Sequence, residues 1–316
     1  MRVLVSGASG MIGSCLVPQL VARGHEVITF GRNLPVGSGA AAHVSADLAG
    51  YSESAALPAG LDAVIHLGDG LKEFEGATTA YKRTLAARLL RGNQHLMRSA
   101  LAAEIRHVIH VSSIKAVADE AAPVLLTESS PSVATTLYGV SKLALEQELT
   151  AMTAGTPARL IILRNPLTYG AGATGNIARV LRWLDGPWPF PHGGTEARRS
   201  LLAVGNLCDA LIVVLESAKP GSGLFHLQDG APLSVAEMMG ALRRGLGRPE
   251  RLWRPPRMLW TLARTIPSAA GIADRLAGSL VLSNRRFREH FPWHPRVQTF
   301  AGLEDAAQAY RQQQGH

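Results

Sequence analysis

Tyr138 and Lys142 lie four residues apart in Tyr138-Gly139-Val140-Ser141-Lys142, a spacing that puts both side chains on one face of a helix. A phenol, with an ordinary pKa of about 10, is a poor base at neutral pH. An ammonium beside it, together with the positive charge of an oxidised nicotinamide ring, favours the phenolate. Tyr138 would then take the proton of a substrate hydroxyl while hydride leaves the same carbon, and Lys142 would also hold the nicotinamide ribose. Ser113 precedes Tyr138 by 25 residues (138 − 113) and ends the apolar run Val108 to Val111. There it would donate a hydrogen bond to the reacting oxygen. A Tyr-x-x-x-Lys also arises by chance on helix surfaces, and paired serines also cap strand ends. What favours chemistry is the company these residues keep.

That company begins at the N-terminus with Gly7-Ala8-Ser9-Gly10-Met11-Ile12-Gly13. One glycine permits a tight strand-to-helix turn, a second lets the backbone approach a pyrophosphate, and a third lets helix pack close to strand. The helix N-terminus then offers free N–H groups and partial positive charge to the anion. A glycine triplet is weak evidence by itself. Here it follows the strand Val3-Leu4-Val5 and opens a helix from Met11 to Arg23, the context that dinucleotide binding requires. The end of the second strand reads Phe30-Gly31-Arg32-Asn33, with no carboxylate for a ribose 2′-hydroxyl. Arg32 would suit a 2′-phosphate, or is a solvated loop charge, so NAD and NADP both stay open. Asp47 would hydrogen-bond the adenine, or cap a turn. Met11, Ile12, Leu48, Leu67 and Gly68 complete the expected cofactor lining with Gly7, Gly10 and Gly13.

Such residues need a sheet edge to stand on. Val27 to Phe30, Ala63 to Leu67, His107 to Val111 and Arg159 to Leu163 read as strands. Helical patterns run between them, at about Tyr81 to Ala103 and Tyr138 to Ala154. Continuous apolar strands alternating with helices predict an α/β fold with a Rossmann-type doubly wound parallel sheet. After Arg164 the texture turns rich in Gly and Pro, which predicts a smaller, mostly helical substrate-binding part interleaved with the sheet. The expected division is 1–168 plus about 200–228 for the dinucleotide-binding domain, and about 169–199 plus 229–316 for the substrate-binding part. The segment Arg251 to Ile266 mixes Trp253, Leu259 and Trp260 with arginines. Such a helix lies on a membrane surface or packs on its own domain, and packing is the expectation.

The chain has 316 residues, 47% of them hydrophobic, enough for one large core or two modest ones. With 32 Lys and Arg against 24 Asp and Glu, its net charge of +8 favours anionic partners. No basic tail or aromatic-basic array points to nucleic acid. Two cysteines, Cys15 and Cys208, make no disulfide framework or zinc cluster and suit a reducing cytoplasm. The N-terminus carries no signal-peptide pattern, and no stretch approaches an integral membrane segment.

The chain resembles the extended short-chain dehydrogenase/reductases, specifically the NAD-dependent epimerase/dehydratase family and its UDP-glucose 4-epimerase-like subgroup. The resemblance runs essentially end to end. It rests on Gly7/Gly10/Gly13, Val111-Ser112-Ser113-Ile114-Lys115, Tyr138-Gly139-Val140-Ser141-Lys142, Leu163-Arg164-Asn165-Pro166 with Tyr169-Gly170, Gly193-Gly194 with Arg198-Arg199-Ser200, and Arg275-Leu276-Ala277-Gly278-Ser279-Leu280. It implies Ser113, Tyr138 and Lys142 as the catalytic set. It implies Arg199 and Arg275 on the substrate diphosphate, Asn176 on the nucleotide sugar, and a homodimer through the long helices. Asn165, where the family usually has Pro, joins the substrate side. Other departures are Gly31 for the usual Asp of NAD users, Arg88 for an Asn, Ala118 for a Gly, and Gly68-Asp69 for Ala-Ala.

Ile114-Lys115 stand where dehydratases of the family carry an Asp-Glu pair, which argues against water elimination. C4 epimerisation of a UDP-hexose or UDP-N-acetylhexosamine by transient hydride transfer is the expectation. An NADP-dependent reductase or dehydrogenase of a keto sugar or other carbonyl uses the same residues. A non-catalytic dinucleotide sensor would have no need of Tyr138.

Overall fold

The computed structural model describes residues 1–35, 37–52, 57–68, 78–172, 176–192, 197–219, 221–266, 276 and 278–314; the side chains of residues 176, 257, 260 and 264 are outside the description. The first half alternates β1 (Arg2–Ser6), α1 (Met11–Ala22), β2 (Glu26–Gly31), β3 (Ala42–Ser45), β4 (Ala63–His66), α2 (Thr79–Ala102), β5 (His107–Ser113), α3 (Leu137–Thr153) and β6 (Arg159–Asn165). Then follow β7 (Leu167–Tyr169), α4 (Asn176–Asp185), β8 (Phe190–Pro191), β9 (Arg198–Arg199), β10 (Leu201–Ala203), α5 (Val204–Glu216) and β11 (Gly223–His226). The C-terminal part holds β12 (Leu233–Ser234), α6 (Val235–Gly245), β13 (Leu252–Trp253), α7 (Arg257–Thr265), α8 (Arg285–His290) and α9 (Thr299–Gln313).

Seven strands form one sheet in the order β11-β6-β5-β4-β1-β2-β3, every pairing parallel. The doubly wound α/β expectation is therefore met. The winding direction reverses between β1 and β4, the point at which sheets of this kind form a ligand crevice at the carboxyl ends of their strands. Strand residues alternate between two buried faces, which is why the strands read as unbroken apolar runs. Val3, Val5, Ile65, Ile109, Val111 and Leu163 face α1 and α5. Leu4, Ile28, Val64, Val108, Leu160 and Ile162 face α2 and α3. The run Leu207 to Leu215 is the packed helix α5, as its interruption by Asp209 suggested.

Helix starts show what the N-termini are for. Thr78 caps α2 by accepting from Tyr81 N, Thr136 caps α3 by accepting from Gly139 N, and Ser234 with Glu237 forms a capping box on α6. α1 begins at Gly10 with no side-chain cap and no acidic residue in its first turn. Its N–H groups are left for something else. A second core joins α4, α6 and α9 through Tyr169, Leu181, Leu184, Phe190, Met239, Leu242 and Leu303. Phe287, Phe291 and Trp293, late in the chain, pack instead against Phe225 in the sheet's own core.

Candidate active site

The glycine turn sits at the point where the winding reverses. Gly7 follows β1 in the left-handed region, at φ 72°. A Cβ on it would lie 2.5 Å from Gly68 N, and one on Gly68 would lie 2.6 Å from Gly7 Cα. Gly68, which replaces the more usual Ala, thus presses its backbone against the cradle. A Cβ on Gly13 would lie 2.4 Å from Ala8 Cα, so only glycine lets α1 start this close to β1. An uncapped helix N-terminus over a turn with glycine at both ends fits a dinucleotide pyrophosphate. Met11 and Ile12 are half-buried in the first turn of α1, and Leu67 is half-buried just after β4. Arg32 is exposed directly after β2, while Gly31 has φ 155°, a backbone that disfavours the carboxylate common there. Asp47 caps the short 3-10 turn Leu48–Gly50 by accepting from Ala49 N at 3.2 Å. Arg88 lies inside α2 and donates to Ala49 O.

On the other side of the crevice, Ser113 ends β5, and Tyr138 and Lys142 stand in the first two turns of α3. Lys142 is buried, 4% exposed, with Nζ 5.7 Å from the centre of the Tyr138 ring and 3.4 Å from Val111 O. Tyr138 is half-buried and packs against Ala86 and Leu89 of α2. Ser113 Oγ accepts from Lys115 N at 3.2 Å, so it also caps the turn Ile114–Ala116. The three residues expected to do chemistry therefore converge on one sheet edge. The start of α3 is held by Asp119, which accepts from the N–H and Oγ–H of Thr135 and of Thr136. Burial raises the Asp119 carboxyl, but these donors outweigh it and hold the group below its ordinary value.

Beneath this edge lies a polar network that motif reading missed. Arg164 of β6 meets Glu146 of α3 in a two-point pair, Nε to Oε1 at 3.0 Å and Nη2 to Oε2 at 2.5 Å. The Arg164 and Glu146 side chains are 8% and 4% exposed. Ser112 Oγ donates to Glu146 Oε1. Glu146 comes four residues after Lys142 and eight after Tyr138, a helical repeat that would have revealed it. Alongside, His66 Nδ1 and Ser6 Oγ share a hydrogen bond at 2.6 Å, and His66 stacks on His110 with ring centres 5.1 Å apart. Burial, the neighbouring His66 and Lys142 push His110 well below the ordinary imidazole value, so it stays neutral.

The substrate-side residues part company. Lys115 Nζ pairs with Glu120 at 3.2 Å and lies 5.9 Å from the Tyr138 ring centre, an arrangement the Ser-Ile-Lys motif did not disclose. Arg199 comes to the same place from β9, donating Nη2 to Glu120 O at 2.9 Å. Asn165 is buried at the end of β6 and bonds Thr168. With its amide oxygen toward Thr168, its nitrogen donates to Leu163 O and Ser112 O, which keeps it within the sheet edge. Asn176 opens α4, but its side chain is outside the description, and Arg275 lies outside the described residues, as do residues 193–194 and 69.

A family model described as "NAD dependent epimerase/dehydratase family" matches residues 3–225. UDP-glucose 4-epimerase of Vibrio cholerae is 30% identical over 178 residues, 55% of this chain, and the chain spans about half of that relative's length, 54%. The 3-diazoavenalumate denitrifying reductase of a Streptomyces species is 31% identical over 314 residues, 93% of this chain and 96% of that protein. Among solved structures, MoeE5 in complex with UDP-glucuronic acid and NAD has a TM-score of 0.75 at 23% identity, covering 99% of this chain and 100% of that one; this shows the shared fold.

Proposed function

The chain belongs to the NAD dependent epimerase/dehydratase family, and on that premise we propose that it is a nucleotide-sugar epimerase, inverting C4 of a UDP-hexose or UDP-N-acetylhexosamine. The observation that carries this reading is buried Lys142, its ammonium beside the Tyr138 ring and bonded to Val111 O of the strand that ends at Ser113. NAD is the cofactor proposed, with Gly7, Gly10, Met11, Ile12, Gly13, Leu48, Leu67 and Gly68 around it and Asp47 and Arg32 toward its adenosine end. When bound, its nicotinamide supplies a hydride acceptor and donor.

The protein's own part is proton handling and grip. Tyr138 Oη takes the proton of the sugar hydroxyl and later returns it. Lys142, held by Val111 O, keeps positive charge beside that phenol in a buried setting, where it acts more strongly than in water. Ser113 donates to the oxygen as it becomes a carbonyl. Epimerisation requires the diphosphate to stay fixed while the keto sugar turns over, and Arg199, with Arg275, is the proposed anchor. Asn176 and Asn165 complete the proposed substrate side.

A second reading, a one-way carbonyl reductase, is favoured by the nearly full-length likeness to a reductase and by Arg32 after β2. The same tyrosine and lysine serve it. Tyr81, Leu137 and Val140 are exposed on α2 and α3, which supports a homodimer through those helices. The proposed two-part division is 1–168 plus about 200–228, and about 169–199 plus 229–316.

One experiment separates the readings. The purified protein, without added cofactor, is incubated with UDP-glucose, UDP-galactose and their N-acetyl forms, and the anomeric protons are followed by NMR. A C4 epimer, lost by about 10²-fold or more in Tyr138→Phe, supports the epimerase. No epimer, together with substrate-dependent NADPH oxidation on a carbonyl panel, supports the reductase.

A further inference from the structure

Among the described side chains, the apolar residues of the arginine-rich segment 251–266 do not pack on their own domain as expected. Apolar residues recur at Met258, Leu259 and Leu262 of α7 and at Ile266 just past its end, and all four are exposed, Met258 77% so. Trp188 is 73% exposed, and Trp183 and Trp253 about half exposed, Trp253 standing four residues before that helix. They share one surface because β8 pairs with β13, Phe190 with Leu252 and Pro191 with Trp253, and Trp183 packs edge-on against Phe190 at 5.5 Å. The buried guanidinium of Arg243 ties the pieces together by donating to Gly186 O, Trp188 O and Arg251 O.

The charge of this face is one-sided. Residues 251–266 contain four arginines and no acidic residue. Arg251 and Arg254 are exposed on it, and Arg182 is exposed beside Trp183 on α4. Two acids close to these segments in sequence are paired already, Asp185 with Arg248 and Glu250 with Arg244. No helix among the described residues is long and apolar enough to cross a membrane. Tryptophans, an unpartnered aliphatic stripe and flanking arginines are what a helix lying in a headgroup layer presents. The arginines meet lipid phosphates while the stripe enters the acyl boundary.

We infer that the face formed by Trp188, Trp253 and the Met258/Leu262 stripe of α7 docks this protein reversibly on an anionic phospholipid surface. The inference is independent of the sugar chemistry.

The test is co-flotation of the full chain with vesicles of phosphatidylcholine containing phosphatidylglycerol, and with phosphatidylcholine alone. Binding is expected to the anionic vesicles, to weaken steeply as salt is raised, and to fall at least about tenfold in Met258→Glu/Leu262→Glu and in Trp188→Ser. These positions are exposed, so thermal unfolding and turnover with soluble substrate should match the parent. Light scattering on the same samples reads the oligomeric state. Failure to float with anionic vesicles overturns the inference. So does a shift from dimer to monomer in Met258→Glu/Leu262→Glu, which would make the face a contact between two copies of this chain.

Discussion

Replacing Glu146 by Gln tests whether the buried pair under the sheet edge positions the site. In the parent, a carboxylate 4% exposed neutralises a guanidinium 8% exposed and also receives Ser112 Oγ. Glu146→Gln keeps the shape but leaves the Arg164 charge buried without its counter-ion, which costs about 3–5 kcal/mol. For a chain of this length, at roughly 2 °C per kcal/mol, the melting temperature should fall by about 6–10 °C. Turnover should fall further than lost folded protein explains. Ser112 adjoins Ser113, and Glu146 anchors the helix that carries Tyr138 and Lys142, so a shift of order 1 Å would lower kcat by about 10²-fold. Glu146→Leu with Arg164→Met removes both charges and should recover most of the stability, because buried pairs are often replaceable by apolar residues. Turnover should not recover with it, because Ser112 has lost its acceptor. Thermal unfolding by circular dichroism and steady-state kinetics on the three proteins decide the matter. A loss below about 1 kcal/mol in Glu146→Gln, or full recovery of kcat in the double variant, would refute the positioning role.

Gly13→Ala puts a methyl 2.4 Å from Ala8 Cα, so α1 must shift off the cradle, and NAD affinity by fluorescence titration should weaken at least about tenfold; unchanged affinity would mean the helix start is not where the pyrophosphate rests. Burial and the nearby Arg164 hold His226 at about 4. Unfolded chain therefore binds more protons than folded between about 6.5 and 4, and stability from this group declines as pH falls through that window, by about 3 kcal/mol in all. His226→Gln should flatten the pH dependence of urea midpoints there, and an identical slope would remove His226 as the cause. The Cys208 thiol donates to Cys15, which brings Cys15 down to about 7 against burial, while Cys208 itself is pushed up. Iodoacetamide at pH 7.5 should therefore label Cys15 first, by mass spectrometry, and preferential labelling of Cys208 would contradict that order.

Much of this chain was legible without coordinates because local rules wrote it. The strand, glycine turn and helix from Val3 to Arg23 form as β1, turn and α1, since φ freedom at Gly7 and the absence of side chains at Gly10 and Gly13 are properties of those residues. Tyr138 and Lys142 share a face because helical geometry says so, and the continuous apolar strands could only be buried on both sides. What stayed hidden depended on partners far along the chain. Arg164 meets Glu146 only once β6 lies beside β5 under α3. Arg199 reaches Glu120 across 79 residues, and Gly68 meets Gly7 across 61. The sign of the α7 surface was equally undecidable, because one amphipathic pattern serves a packed helix and an exposed one. Periodicity states which side of an element is apolar; only the arrangement of all the elements decides what, if anything, covers it.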